Sequence, residues 1–293
     1  MPMPFRFKRK ESVTKAARRL CCERLDDALG LLEKGGHLEA VHDVRRDIKK
    51  LRAVLRLVRP GIGEAAYGEA TDTLRKAADR LDAMRDAQVR LAALEELAKR
   101  SNGQIPRHSL PKIQNALRQS CRAEEQKLGP TVGSVKNILL QARQQLGCLK
   151  VKPNSWKAVG PGLKKIYRRG RKALELAERE PSPENFHEWR KRVKDLAHQL
   201  RLVCPARPGK LKPRTAELDR LGDLLGDDHD LFMLREFVGK QQLHEKEPLE
   251  KVIAGRQDKL RSEALKLGAS FYTKKPNRFC RPVGNGWKRW RNR

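Results

Sequence analysis

A row of basic side chains recurs at three- and four-residue intervals between residues 42 and 56. On an α-helix this spacing brings the side chains onto one face, about one turn apart. The row consists of His42, Arg45, Lys49, Arg52 and Arg56. Arginine offers forked hydrogen bonds to phosphate oxygens, lysine a mobile point charge, and protonated histidine two donors. Such a face suits a ligand that carries negative charge at close, regular intervals along a line.

An apolar row accompanies the basic one, offset by one position. It consists of Val41, Val44, Ile48, Leu51, Leu55 and Val58. This arrangement predicts a helix that packs one face against a core and presents the next face to a ligand. A helix face that is merely solvated mixes both signs, because opposite charges four residues apart stabilise a helix and like charges destabilise it. Since Asp43 and Asp47 lie on the third side, the basic row favours anion binding over a solvated face.

The same pattern returns about 145 residues later in the chain. The second basic row consists of His187, Arg190, Lys194 and Arg201, again beside an apolar row. Downstream, residues 81–89 align with residues 225–233 and place Asp86 opposite Asp230. We expect these two carboxylates to orient an arginine of the basic rows. The repeat predicts two copies of one helical unit, related by a pseudo-twofold axis.

The overall charge points to the same class of ligand. The 293 residues include 66 Lys and Arg against 36 Asp and Glu, a formal net charge of +30. Charge alone does not separate DNA, RNA, an anionic membrane surface and a phosphate polymer as partners. No segment is apolar for long enough to span a bilayer, the basic N-terminus lacks the apolar stretch of a secretion signal, and the six cysteines form no regular framework. We therefore expect a cytoplasmic protein without membrane insertion.

Apolar residues recur at intervals of three and four almost everywhere, and period-two alternation is missing, which predicts an all-α fold. Breaks are expected at positions such as Gly35-Gly36, Asn102-Gly103 and Pro181. The predicted helices cover residues 12–33, 38–59, 64–82, 85–100, 110–147, 156–179, 184–204, 213–225, 228–246 and 248–271. Residues 273–293 show no periodicity and are predicted to form a loosely attached basic tail.

The doubled pattern His-x-x-Arg-x-x-x-Lys-x-x-Arg resembles the CHAD family, the "conserved histidine α-helical domain". The resemblance covers residues from about 12 to 271, including Arg85-Asp86, His229-Asp230 and Tyr167-Arg168-Arg169. It departs at Ala197, which stands where the second motif has arginine, and at His229, which stands opposite Arg85. Position 197 is therefore not expected to contact the ligand.

The resemblance implies one domain, residues 12–272, made of two pseudo-symmetric antiparallel helical bundles that face a basic groove or central cavity. The halves are residues 12–147 and 156–272. It also implies inorganic polyphosphate as the ligand and association with polyphosphate granules. Further contacts are expected from the arginines of two segments that can be aligned upstream of the basic rows: Arg18, Arg19, Arg168 and Arg169.

Neither a metal site nor catalysis is expected from these residues. At the positions three and four residues after His42 and His187, where a metal ligand would stand on a helix, the chain has only Arg and Lys. Divalent cations are expected only as counterions of polyphosphate, and no cofactor is expected. The phosphate-binding loop, the nucleophile elbow, the zinc-protease motif and the Glu-x-Glu-x-Lys motif of triphosphate-hydrolysing tunnel domains are all missing.

Two alternatives remain open at this point. Phe279, Trp287 and Trp290 alternate with basic residues near the C-terminus, a composition compatible with stacking on nucleic-acid bases. A generic polyanion-binding or RNA/DNA-binding protein is therefore the main rival, although the basic rows contain little of the Asn and Gln that read bases. A scaffold that binds polyphosphate on one face and protein on another is the second alternative.

Overall fold

Helices account for nearly all of the chain that the computed structural model describes, which is residues 5–34, 38–101, 105, 109–241 and 246–292. Within these ranges there are two short 3₁₀ turns, no strand, and eleven α-helices: α1 Val13–Glu33, α2 Leu38–Ile62, α3 Glu64–Arg80, α4 Asp82–Arg100, α5 Ser109–Gln126, α6 Leu128–Gly147, α7 Gly160–Arg179, α8 Pro183–Val203, α9 Pro208–Gly239, α10 Glu247–Phe271 and α11 Pro276–Asn292. The prediction of an all-α fold is confirmed. The predicted breaks at Gly35-Gly36 and Asn102-Gly103 lie outside the described residues.

Local sequence signals explain where two of these helices begin. The hydroxyl of Ser12 accepts a hydrogen bond of 3.1 Å from the backbone N–H of Lys15 and caps α1. Ser182 caps α8 in the same way, accepting from Asn185, and Pro183 occupies the first turn, where its missing N–H is not needed. The start of the second basic row is therefore set by its own sequence.

Two predicted helix boundaries were wrong. Residues 110–147 form two helices, α5 and α6, with a break at Lys127. Conversely, residues 213–225 and 228–239, which were predicted to belong to two separate helices, lie in the single helix α9, which ends at Gly239. The glycine in the middle of α9, Gly226, is buried under Arg190 of α8. Packing between helices thus overrides the weak helix propensity of glycine, which costs only about 1 kcal/mol.

The C-terminal segment was also predicted wrongly, because residues 276–292 form a packed helix, α11. Trp287 lies against Phe7 with ring centroids 5.1 Å apart, and Phe279 stacks on Tyr167 at 4.0 Å. Both Phe279 and Trp287 are buried. Proline, glycine and asparagine conceal the helical spacing of this segment, and only its tertiary contacts stabilise it.

The two helices that carry the basic rows lie at the centre of the fold. α2 packs against α1, α3, α7 and α8, while α8 packs against α7, α9 and α2. The apolar row of α2 and the corresponding residues of α8, from Phe186 to Val203, are buried in one core. The predicted apolar faces are thereby confirmed. The predicted pseudo-twofold relation and the division into halves stay predictions.

The crossing of α7 over α2 depends on Gly162. A methyl group at this position would overlap the backbone carbonyl oxygen of Leu57 and would lie 2.8 Å from that of Arg56. Backbone atoms cannot move aside as a flexible side chain can, so the two helices would have to separate.

We therefore expect Gly162→Ala to lower the free energy of unfolding by about 1–3 kcal/mol, the usual cost of overpacking. The matched control is Gly255→Ala in the interior of α10, where a methyl group meets nothing within 4 Å. There alanine should stabilise the protein by about 0.5–1 kcal/mol, because it is the better helix former. Urea denaturation of the three proteins measures both changes, and equal effects of the two substitutions would contradict this account of the crossing.

Candidate functional site

Four helices in mutual contact bring the basic residues together. α2 packs against α4 and α8, and α9 packs against the same two helices. We call the six central basic residues of this arrangement the cation cluster: Arg45, Lys49 and Arg52 of α2, Arg85 of α4, and Arg190 and Lys194 of α8. Lys49 interacts electrostatically with four of the others, namely Arg45, Arg85, Arg190 and Lys194. The cluster therefore combines residues from both basic rows with one from a helix between them.

Arg85 is held by carboxylates from two different helices. Its guanidinium donates to Asp86 of α4 at 2.9 Å and to Asp230 of α9 at 3.2 Å. Burial raises the pKa of Asp230 above its ordinary value, although Arg85 and Arg190 act against this. The two carboxylates that sequence alignment placed opposite each other thus converge on a single arginine. That arginine does not belong to either basic row.

Two other members of the cluster are anchored by hydrogen bonds and ion pairs. Arg45 donates to the carbonyl oxygen of Ala78 at 2.6 Å and forms an ion pair with Asp82. Lys194 donates to Asp223 of α9 at 2.9 Å. These contacts neutralise part of the positive charge and hold the side chains in place.

Three cations of the cluster have no such partner. Lys49, Arg52 and Arg190 form neither an ion pair nor a side-chain hydrogen bond with any other residue of the described ranges. The Nε–H groups of Arg45, Arg52 and Arg190 are buried and also lack an acceptor there. Buried donors without acceptors are costly, and in native proteins they call for an explanation such as a ligand or ordered water. The cluster thus presents unpaired donors and unneutralised charge in the same place.

Mutual repulsion and loss of hydration lower the pKa values of these groups. Burial first, and then Arg190, Arg85 and Arg45, lower the pKa of Lys49 to about 7. Burial and Arg85 lower the pKa of Arg45 to about 10, and the pKa values of Arg52 and Arg190 fall for the same kind of reason. Lys49 nevertheless remains exposed to solvent. Lys49 is thus accessible to solvent while burial and neighbouring cations disfavour its charged form.

Two histidines lie beside the cluster in direct contact. The Nδ1 atoms of His187 and His229 are 3.1 Å apart, so one ring donates the hydrogen bond and the other accepts it. Burial and neighbouring cations lower the pKa values of His187 to about 4 and of His229 to about 3. The residue His42 is exposed. Partial loss of hydration of its ring, and then the charge of Lys49, lower its pKa as well. Across the described ranges, no three or more His, Cys, Asp or Glu residues are grouped in a way that could hold a metal ion.

Glycines of α9 make room for the basic side chains of α8. A methyl group on Gly222 would lie 2.9 Å from Cε of Lys194, and one on Gly226 would lie 3.7 Å from Nε of Arg190. Gly222 and Gly226 are one helical turn apart, as are Arg190 and Lys194. The long side chains of Arg190 and Lys194 therefore cross α9 at positions where its residues have no side chain.

Comparison with known proteins now places the chain in a family. The family model described as "CHAD domain" matches residues 16–239. The chain belongs to the CHAD domain family. Its fold is similar to that in the crystal structure of the CHAD domain from the plant Ricinus communis, with a TM-score of 0.59, 15% sequence identity, and coverage of 96% of this chain and 95% of the plant chain. No curated protein sequence matches the chain.

The remaining predicted contacts of this CHAD domain lie outside the cation cluster. Arg56 donates to the buried Asp195 at 2.7 Å, and Arg201 donates to Asp219 at 2.5 Å. Arg18 donates to the carbonyl oxygens of Leu149 and Cys148, and Arg19 is bound by Glu11 and Glu23. The guanidinium groups of these four arginines are therefore already engaged within the protein. Arg168 and Arg169 are exposed on α7 and form no ion pair with another residue of the part described.

Sequence reasoning missed three features of the site. Arg85 and His229 were noted only as the residues preceding Asp86 and Asp230, and Gly222 and Gly226 were not singled out. The signal that points to Arg85 and His229 was present, because the two aligned segments place both next to an aspartate. The role of the glycines could not be found in this way, since it depends on which side chains of α8 cross α9.

We expect Lys49→Met to raise the midpoint of thermal unfolding, because it removes a charge that the folded state disfavours. The pKa of Lys49 is lowered to about 7 in the folded protein, and unfolding restores the ordinary value of about 10.4. The destabilisation is thus fully present below about pH 7, shrinks as the pH rises toward about 10, and is lost above that. Thermal melts at pH 6 should show a gain of about 2 °C or more.

The control for this comparison is Lys164→Met, at an exposed lysine of α7 without an ion pair to any described residue. Its effect should stay within about 0.5 kcal/mol at all pH values. A gain for Lys49→Met that is the same at pH 6 and pH 10 would show that the stabilisation does not come from removal of the charge.

Proposed function

We propose that this CHAD domain binds inorganic polyphosphate at the cation cluster without acting on it chemically. The single observation that carries the proposal is that Lys49, Arg52 and Arg190 have no acidic partner in the described part of the chain, while their cationic neighbours Arg45, Arg85 and Lys194 are anchored. An arrangement that leaves three cations of one cluster without an ion pair is stabilised when an anion binds. The anchored residues reduce the loss of side-chain freedom on binding.

The chemistry of the cluster favours a phosphate chain among the possible anions. Guanidinium groups form two parallel hydrogen bonds with phosphate oxygens, and those of Arg52 and Arg190 form no ion pair with a described residue that would compete. A polymer with one negative charge or more on each phosphate can contact cations from both α2 and α8 at once. Divalent cations would enter only as counterions of the polymer. In the cell, binding of this kind would place the protein on polyphosphate granules in the cytoplasm.

Nucleic acid is the alternative ligand. This alternative depends in part on aromatic residues near the C-terminus that could stack on bases, and their positions in the structure weaken it. Phe279 and Trp287 are buried, and Trp290 packs against the ring of Trp287 at 5.5 Å. Phe279 and Trp287 are therefore not available to stack on bases, and Trp290 is only partly exposed. What remains in favour of RNA or DNA is charge alone, which does not distinguish one polyanion from another.

A competition titration tests the proposal directly. Long-chain polyphosphate, single-stranded RNA and duplex DNA of matched phosphate content compete for the purified protein at near-physiological salt. We expect polyphosphate to bind about a hundredfold more tightly or better, which corresponds to about 2.7 kcal/mol. Its affinity should also fall steeply as salt rises, because bound counterions are released. Even competition by the nucleic acids would make the cluster a generic polyanion surface and favour the alternative.

The same titration with Arg52→Gln and Arg190→Gln combined locates the site. This double variant removes the two arginines of the cation cluster that form no ion pair with a described residue, and it should lose about a hundredfold in polyphosphate affinity while remaining folded. The matched control is Arg118→Gln with Arg122→Gln, which removes two exposed arginines of α5 that form no ion pair with any described residue. The control has the same net charge and should lose less than about threefold. Equal losses in both variants would mean that net charge, and not the cluster, determines binding.

A further inference from the structure

Lys49 differs from every other lysine of the cation cluster and its surroundings. The residue is exposed and its amine has no carboxylate or carbonyl partner in the described residues, whereas Lys194 is bound to Asp223 and Lys191 to Glu188. The titratable groups that interact electrostatically with Lys49 come from all four helices of the site. They are His42 and Arg45 of α2, Arg85 of α4, Arg190, Lys194 and His198 of α8, and His229 and Asp230 of α9. Asp230 is the one acid among them, and it is bound to Arg85.

An amine in such surroundings is more nucleophilic than an ordinary lysine. Neighbouring cations disfavour the ammonium form, and enzymes use the same effect to activate a lysine beside another cationic group. With its pKa lowered to about 7, the amine of Lys49 is far more often unprotonated at neutral pH than that of an ordinary lysine, for which the fraction is on the order of one in a thousand. The fixed positive charge around it also attracts phosphate groups, and arginine remains charged at every relevant pH.

We propose that Lys49, a residue exposed among the anchored cations and without an acidic partner in the described part of the chain, is a modification site whose amine is acylated by small acyl phosphates that the neighbouring arginines attract. Acyl phosphates combine two groups that suit this site. Their phosphate dianion is attracted by the arginines, and their electrophilic carbonyl carbon reacts with the amine. Arg190, which lies close enough to Lys49 to lower its pKa and forms no ion pair with any described residue, would hold the phosphate.

The reaction is a simple acyl transfer. The lone pair of Nζ of Lys49 attacks the carbonyl carbon, the bond between that carbon and the phosphate oxygen breaks, and the amine proton passes to the departing phosphate. With acetyl phosphate the products are acetyl-lysine and hydrogen phosphate. No oxidant, reductant or metal enters the balance.

The modification would also regulate the proposed function. An amide carries no charge, so acylation removes the central cation and prevents the amine from donating to phosphate as an ammonium group. Bound polyphosphate in turn would cover Lys49 and protect it. This regulatory consequence rests on the proposed binding of polyphosphate, whereas the reactivity of Lys49 does not.

Acetyl phosphate at neutral pH provides the test, with the rate of acetylation of each lysine followed by peptide mass spectrometry of the full-length protein. We expect Lys49 to react about tenfold faster or more than Lys164, an exposed lysine of ordinary surroundings. Lys194, in the same site but paired with Asp223, should react more slowly than Lys49. A neutral acetyl ester serves as a second reagent. It carries no phosphate group for the arginines to attract, so its rate of reaction measures the nucleophilicity of each amine alone. With it the preference for Lys49 should be smaller but still present.

Polyphosphate affinity before and after treatment completes the experiment. Treated wild-type protein should lose affinity about tenfold, whereas the affinity of Lys49→Arg should be the same before and after treatment. Acetylation of Lys49 no faster than of Lys164 with both reagents would overturn the modification site, even if polyphosphate binds. Selective acetylation in a protein that does not bind polyphosphate would support the modification site and refute the proposed function.

Discussion

The repulsion among like charges at the centre of the fold is the constraint on which the rest of this structure depends. Two unit charges about 4 Å apart repel by about 4 kcal/mol near a protein surface. Six cations from three helices can stay together only if the helices that carry them are held by other forces. The apolar faces of α2 and α8 supply these forces, because burial of each large aliphatic side chain contributes about 1.5–3 kcal/mol. Each helix thus uses one face for stability and the adjacent face for charge.

Acidic residues regulate how much of the repulsion remains. Three cations of the cluster are bound by carboxylates. Asp82 binds Arg45, Asp223 binds Lys194, and Asp86 and Asp230 together bind Arg85. Had every cation such a partner, the centre would be a closed network of ion pairs with no tendency to bind an anion. Lys49, Arg52 and Arg190 are left without one in the described part of the chain. The carboxylates that are present therefore hold some cations of the cluster in place. The carboxylates that are missing determine which cations keep their charge unpaired.

This balance makes stability and binding compete for the same residues. Unneutralised charge lowers the stability of the free protein and raises its gain on binding an anion, a trade-off that is common at functional sites. It also explains why a lysine at the centre departs from ordinary lysine chemistry. In the free protein the neighbouring cations and burial lower the pKa of Lys49 to about 7, while the residue remains exposed. One physical cause thus connects the proposed ligand with the proposed modification.

The amino-acid sequence by itself determined the all-α class, the buried faces of α2 and α8, the two basic rows and the family, since each of these depends on spacing within one helix. It did not determine which of the predicted cations remain free. Arg56 and Arg201 share the spacing of Arg52 and Arg190, yet Asp195 and Asp219 bind them. Only the tertiary structure decided this, because a carboxylate from another helix, distant in the chain, must arrive beside a particular guanidinium. The same holds for α11. Its sequence did not predict a helix, and its aromatic residues pack against Phe7 and Tyr167, which are distant in the chain.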